Sequence, residues 1–157
     1  MKKHSGFLSL AFILLFAVGS CKKDKESKPV SPFSGKYVLV SQTELNIGTK
    51  HLDTYTNTAT PCLSYNQASF KDNGSWSSAY VGAEDCVVSR TIDGYTTIGT
   101  KGTSASGAWT QVGNKIKFTQ PGDFVTYAEL STINGKAGLT FRDTSQYFIS
   151  SSVWVKQ

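Results

Sequence analysis

The residues of this 157-residue chain with chemistry to offer are three cysteines, two histidines, a few carboxylates and a set of aromatic rings. Cys21 closes the tetrapeptide Val18-Gly19-Ser20-Cys21. Small residues there let a peptidase approach the backbone. Cys62 and Cys86 are the even pair that remains, and in an oxidising compartment they are expected to join. The bond would close a loop of about 25 residues and contribute roughly 3.5 kcal/mol on the chain-entropy account. A metal centre lacks ligands, since beyond Cys21 only His51 remains and there is no Cys-x-x-Cys. His51 is also the sole candidate base for Ser-His-Asp catalysis, but it falls in a polar stretch that reads as a solvated loop. Glu84-Asp85 is the one pair of adjacent carboxylates, and neighbours on an extended chain point to opposite faces, which suits an acid/base couple poorly. The stretch from Gly99 to Gly107 lacks the strand-before, helix-after setting of a phosphate cradle. No cofactor, no metal and no enzymatic activity are expected.

The elements that must position these residues begin after a targeting segment, residues 1–20. Lys2 and Lys3 open it, and Phe7 to Val18 is an apolar run short of the roughly 20 residues that a span needs. Ending in Val-Gly-Ser-Cys, it resembles a bacterial lipoprotein signal. Acyl chains on Cys21, at roughly 0.8 kcal/mol per buried methylene, would hold the mature protein in a bilayer. Residues 21–32 are charged, carry Pro29 and Pro32, and show no apolar period, so they read as a disordered tether. Lys22 stands where inner-membrane retention usually requires Asp, which predicts delivery to the outer membrane, on its periplasmic or its outer face. From the whole chain to residues 33–157, Lys plus Arg falls from 16 to 10 and Asp plus Glu from 11 to 9, so the net charge falls from +5 to +1. The basic balance belongs to signal and tether, and nucleic acid is excluded as a partner.

Residues 33–157 suit one domain. Short runs rich in Val, Ile, Thr, Tyr, Phe and Trp alternate with Gly and Asn/Asp turn signals, and no helical period is sustained. Lys36 to Glu44 reads as the first strand, with a weak strand over His51 to Thr56. A three-residue turn at Asp72-Asn73-Gly74 sets Phe70 opposite Trp76 and brings Cys62 within two residues of opposing Cys86. Val87 to Ile92 and Tyr95 to Ile98 make a hairpin, and Thr100 to Ser106 is a small, flexible stretch. The Gly113-Asn114 turn sets Trp109 opposite Phe118 and Gln111 opposite Ile116. Asn134-Gly135 sets Leu130 opposite Leu139 and Ala128 opposite Phe141, with Tyr127 opposite Arg142 on the solvent side. Tyr147 to Val155 closes the series. The fold expected is all-β: an antiparallel up-and-down meander of eight to ten strands closed into a barrel with one internal disulfide.

Gly35-Lys36-Tyr37, Phe70-x3-Gly74-x-Trp76 and Gly107-x-Trp109-x3-Gly113-Asn114-x-Ile116-x-Phe118 resemble the bacterial lipocalin-like lipoproteins. There a lipid anchor and tether precede a small antiparallel barrel. Tyr37 stands where the first-strand Trp of lipocalins is found. The resemblance implies binding of lipid or a small apolar ligand. The registers turn Phe70, Trp76, Tyr80, Trp109, Gln111, Phe118, Leu130 and Phe141 to the inner face, where they either line a pocket or fill the barrel. Two functions follow. One is a membrane-anchored binding protein holding a small, largely apolar ligand, with loops 45–61 and 83–105 flanking the mouth. The other is a structural or interaction lipoprotein with a filled core that docks an envelope partner.

Overall fold

The computed structural model describes residues 31–92 and 94–157, so the targeting segment, Cys21 and most of the tether lie outside the described residues. β-branched and aromatic residues at every second position, broken by turn glycines, give eleven strands. They are β1 (Gly35–Asn46), β2 (Leu52–Thr56), β3 (Asn66–Phe70), β4 (Ser75–Tyr80), β5 (Cys86–Arg90), β6 (Gly94–Gly99), β7 (Ser104–Val112), β8 (Lys115–Thr119), β9 (Val125–Ile133), β10 (Lys136–Thr144) and β11 (Phe148–Lys156). Eight of them pair antiparallel in the order β11-β10-β9-β8-β7-β4-β3-β1. A long β1–β11 ladder, from Tyr37 opposite Lys156 to Asn46 opposite Phe148, closes the barrel.

Three tight turns fix the registers expected from the sequence. Gly74 takes a left-handed φ of 81°, and Phe70 lies opposite Trp76. Gly113 (φ 62°) sets Trp109 against Phe118 and Gln111 against Ile116. Asn134 and Gly135, both at positive φ, set Leu130 against Leu139 and Ala128 against Phe141.

The path between them is not a simple meander. β2 pairs only with the upper part of β1, and β5 and β6 form a separate two-stranded sheet, so β4 finds its partner in β7 across residues 81–103. Cys62 and Cys86 are joined, with Cα atoms 5.6 Å apart. They do not face each other across one continuous hairpin as the spacing suggests. The β3–β4 ladder ends at Asn66 opposite Tyr80, Pro61 starts a short 3-10 helix (Pro61–Tyr65) that carries Cys62, and Cys86 opens β5. The disulfide therefore ties the β5–β6 hairpin to the barrel. Residues 104–106, expected to be flexible, begin β7.

One end of the barrel carries the tight turns, the N-terminal approach and the C-terminus; the other carries the longer connections. At the tight-turn end, Tyr37, Phe70, Trp76, Trp109, Ile116, Phe118, Ala128 and Leu139 form a closed core. Its rings meet edge to face: Tyr37 and Phe70 at 5.1 Å and 82°, Trp76 and Phe118 at 5.6 Å and 81°. Gly107 makes room for it. A methyl group there would meet the Thr119 carbonyl and lie 2.9 Å from Trp76 Nε1. At the long-loop end, Leu39, Tyr55, Leu63, Tyr80, Cys86 and Val88 form a second cluster that seats the β5–β6 hairpin.

Candidate ligand cavity

Between the two clusters the barrel is hollow. Above the layer of Phe70 and Trp76 the next inward positions on β3, β4 and β7 are Ala68, Ser78 and Ala105, each paired to the next. Ala68 and Ser78, which border the space, are too small to fill the width spanned by the rings below, and Ala105 packs against the core. The result is a cavity of about 290 Å³. Phe70, Trp76, Phe118, Phe141 and Trp154 supply its apolar walls, and Ser78, Gln120, Thr126 and Ser152 its polar ones. Ligand cavities usually measure about 300–1,000 Å³, so this one suits a small molecule.

The wall opens on one side. The β9–β10 ladder stops at Ala128 opposite Phe141. Above it β9 continues with β8 alone, as far as Val125 opposite Thr119, and β10 with β11 alone, as far as Thr144 opposite Ile149. A hollow of about 250 Å³ fills this split, lined by Thr126, Phe141, Arg142, Asp143, Ser150 and Ser152. Thr126, Phe141 and Ser152 line both spaces, so the split leads into the cavity. Tyr127 and Arg142 are therefore not the cross-strand pair their spacing predicts. A wider trough of about 630 Å³ runs outside β3, β4 and β7 past Lys36 and Pro121. Its floor is serine and alanine, with no ring to grip an occupant.

Of the eight residues predicted to face inward, Phe70, Trp76, Phe118 and Phe141 line the cavity. Trp109 lies in the core beneath, its indole N–H shared between the carbonyls of Lys71 (3.2 Å) and Ser75 (3.1 Å), and Leu130 is partly buried against the same core. Tyr80 belongs to the second cluster, its ring held between Gly82 and Gly99, and only borders a side hollow with Ser78 and Trp154. Gln111 has to be corrected. Its register with Ile116 is as expected, but β7 runs on past the barrel floor there, so Gln111 is exposed and its amide donates to the Gly113 carbonyl at 3.0 Å. Sequence reasoning missed Trp154 and Ser152, along with the small and polar lining residues Ala68, Ser78, Gln120 and Thr126. Trp154 Nε1 donates to Ser152 Oγ at 3.2 Å.

The polar groups weighed for catalysis serve the hairpin. His51 Nε2 lies 3.5 Å from Asp53 Oδ1, which accepts the Thr91 hydroxyl at 2.6 Å and the Thr91 amide at 3.2 Å. Those Thr91 bonds first, and then His51, hold the Asp53 carboxyl below its usual range. The hydroxyl thus donates to the carboxylate and not to the imidazole, the reverse of what activates a nucleophile. Asp85 accepts the Lys101 amide at 2.7 Å. Arg90 donates to Glu44, a buried carboxylate, at 2.9 Å and lies 4.4 Å from the centre of the Phe148 ring. Burial, followed by the charges of Tyr65, Asp85 and Glu84, raises the Tyr80 phenol. Among the described residues no three His, Cys, Asp or Glu side chains converge as a metal would require.

Compared with protein-family models, with curated proteins and with solved structures, the chain matches none.

Proposed function

We propose that this chain is a lipocalin-like binding lipoprotein, anchored through acylated Cys21 at the outer membrane, that holds a small, largely apolar ligand within its barrel. The observation that carries this reading is the 290 Å³ hollow above a solid aromatic floor. A barrel built only as a scaffold gains stability by filling its interior, because an empty volume costs contact energy. Here the cross-strand pair Ala68 and Ser78 leaves the space free. Aromatic walls supply apolar area with little entropy to lose, and the scattered hydroxyls and amide can orient an occupant.

The test is native mass spectrometry on protein purified from its own membrane, alongside Ser78→Leu, which places a branched side chain in the cavity and leaves floor and closing ladder untouched. A co-purifying mass present in the native chain and lost in the folded variant is expected. Absence of any occupant, together with no binding of small aromatic probes, would overturn the reading.

A second reading, docking of an envelope protein, draws on the long-loop end. Phe124 and Tyr147 stand 72 % and 64 % exposed on two of its connections, and Tyr95, on β6 of the hairpin, 75 %. Crosslinking in cells that captures a specific partner would favour it, and recovery of monomer alone would count against it.

A further inference from the structure

Resting on the reading of the barrel as a binder, we propose that its occupant is an organic cation with an apolar body, which passes through the split between β9 and β10 and seats its ammonium group against Asp143. Among the described residues the central cavity is lined by no charged side chain, and Arg142 and Asp143 are the charged ones along the hollow that leads to it. Alternation on β10 separates them. Both are exposed and both border the hollow, but Asp143 follows Leu139 and Phe141 in the inward alternation, opposite Ser150 on β11, whereas Arg142 takes the outward position opposite Ser151.

Among the described residues no cation pairs with Asp143. One carboxylate oxygen accepts the neighbouring Thr144 amide at 2.9 Å. The other inward acid near this end, Glu44, is already matched by Arg90 at 2.9 Å. Asp143 is therefore the charged side chain on the inward side of the opening, exposed at its mouth, where its charge acts on whatever enters. Beyond it lie ring faces, whose quadrupoles attract a desolvated cation. An anionic head would have to pass Asp143 to reach the same walls, and a neutral head would gain nothing from it.

Three probes of one shape separate the cases: phenylbutylamine, phenylbutanol and phenylbutyrate, titrated into the full mature chain by calorimetry. The amine should bind about fivefold more tightly than the alcohol, the sum of an exposed ion pair and a cation–π contact. Asp143→Asn should erase that preference and leave the alcohol unchanged, since Asn keeps the oxygen that accepts the Thr144 amide. Lys115→Gln, an exposed charge at the tight-turn end, should leave the ranking as it is. Equal affinities, tightest binding of the butyrate, or a preference that survives Asp143→Asn would each overturn the cation proposal while leaving the hollow-barrel reading standing. Failure of all three probes to bind would overturn both.

Discussion

The Tyr37 phenol is fully buried, and its oxygen has no hydrogen-bond partner among the described residues, while its ring packs edge-on against Phe70. A buried hydroxyl without a partner costs about 1–3 kcal/mol of lost hydration, so its removal should help. Tyr37→Phe is expected to raise the urea midpoint by the equivalent of about 1 kcal/mol at neutral pH, with the slope unchanged. A lower midpoint would mean that the oxygen has a partner after all. Burial also raises this phenol from 10.0 to about 12, so between those values the folded chain holds a proton that the unfolded chain has lost. The stability it contributes is whole below pH 10 and falls as pH rises toward 12. The native chain should therefore lose more stability between neutral pH and about pH 11 than Tyr37→Phe does. Equal losses would contradict the burial argument. Tyr37 itself was legible as a first-strand aromatic; that its oxygen would be stranded was not, because this depends on what β3 and β11 bring beside it.

The β5–β6 hairpin is held to the barrel by a few connections: the Cys62–Cys86 bond, Glu44–Arg90, Asp53–Thr91 and the docking of Val88 beside Leu63. Replacing both cysteines by serine frees a loop of sequence separation 24, at a cost of roughly 3.5 kcal/mol on the chain-entropy account. The loss should be local before it is global. Hydrogen exchange should rise in Val87–Thr97 at denaturant levels where Trp109–Phe118 is still protected. Uniform loss of protection would show hairpin and barrel to be one cooperative unit. The element scale also shows what sequence could deliver. Each tight turn names its own register, so Phe70–Trp76, Trp109–Phe118 and Leu130–Leu139 could be read from spacing alone. No turn joins β11 to β1, and the serine run 150–152 blurs alternation, so Trp154 could not be placed on a face. The cavity was hidden for the same reason. Ala68 opposite Ser78 follows from the Gly74 turn, but that pair faces the cavity residues of β8–β11 only when β4 pairs with β7 across the intervening hairpin, a contact that no local signal encodes.

At the scale of the whole molecule, the two ends of the barrel have different jobs if Cys21 is acylated. The described chain comes in at the tight-turn end, where the Pro32 carbonyl accepts the Lys156 ammonium at 3.0 Å and Ser34 donates to the Ser31 carbonyl at 2.9 Å. A tether of the character of residues 21–32 spans about 20 Å on average, too little to carry the barrel far from the surface that holds it. The solid aromatic floor then faces the bilayer, and the cavity, its side opening and the exposed rings of the long-loop end face away from it. A ligand would be taken from the aqueous side and not from the lipid beneath. Cys21→Ser should release the protein from membranes washed at high salt, since acyl chains and not the tether lysines would hold it; a variant that stays bound would refute the anchor. Orientation is read separately, from fluorophores on Asn114→Cys in the β7–β8 turn and on Gln146→Cys between β10 and β11, both exposed positions, in vesicles whose headgroups carry a nitroxide quencher. The Asn114 label should be quenched more strongly. The opposite order would place the cavity mouth against the membrane and make the lipid itself the source of the ligand.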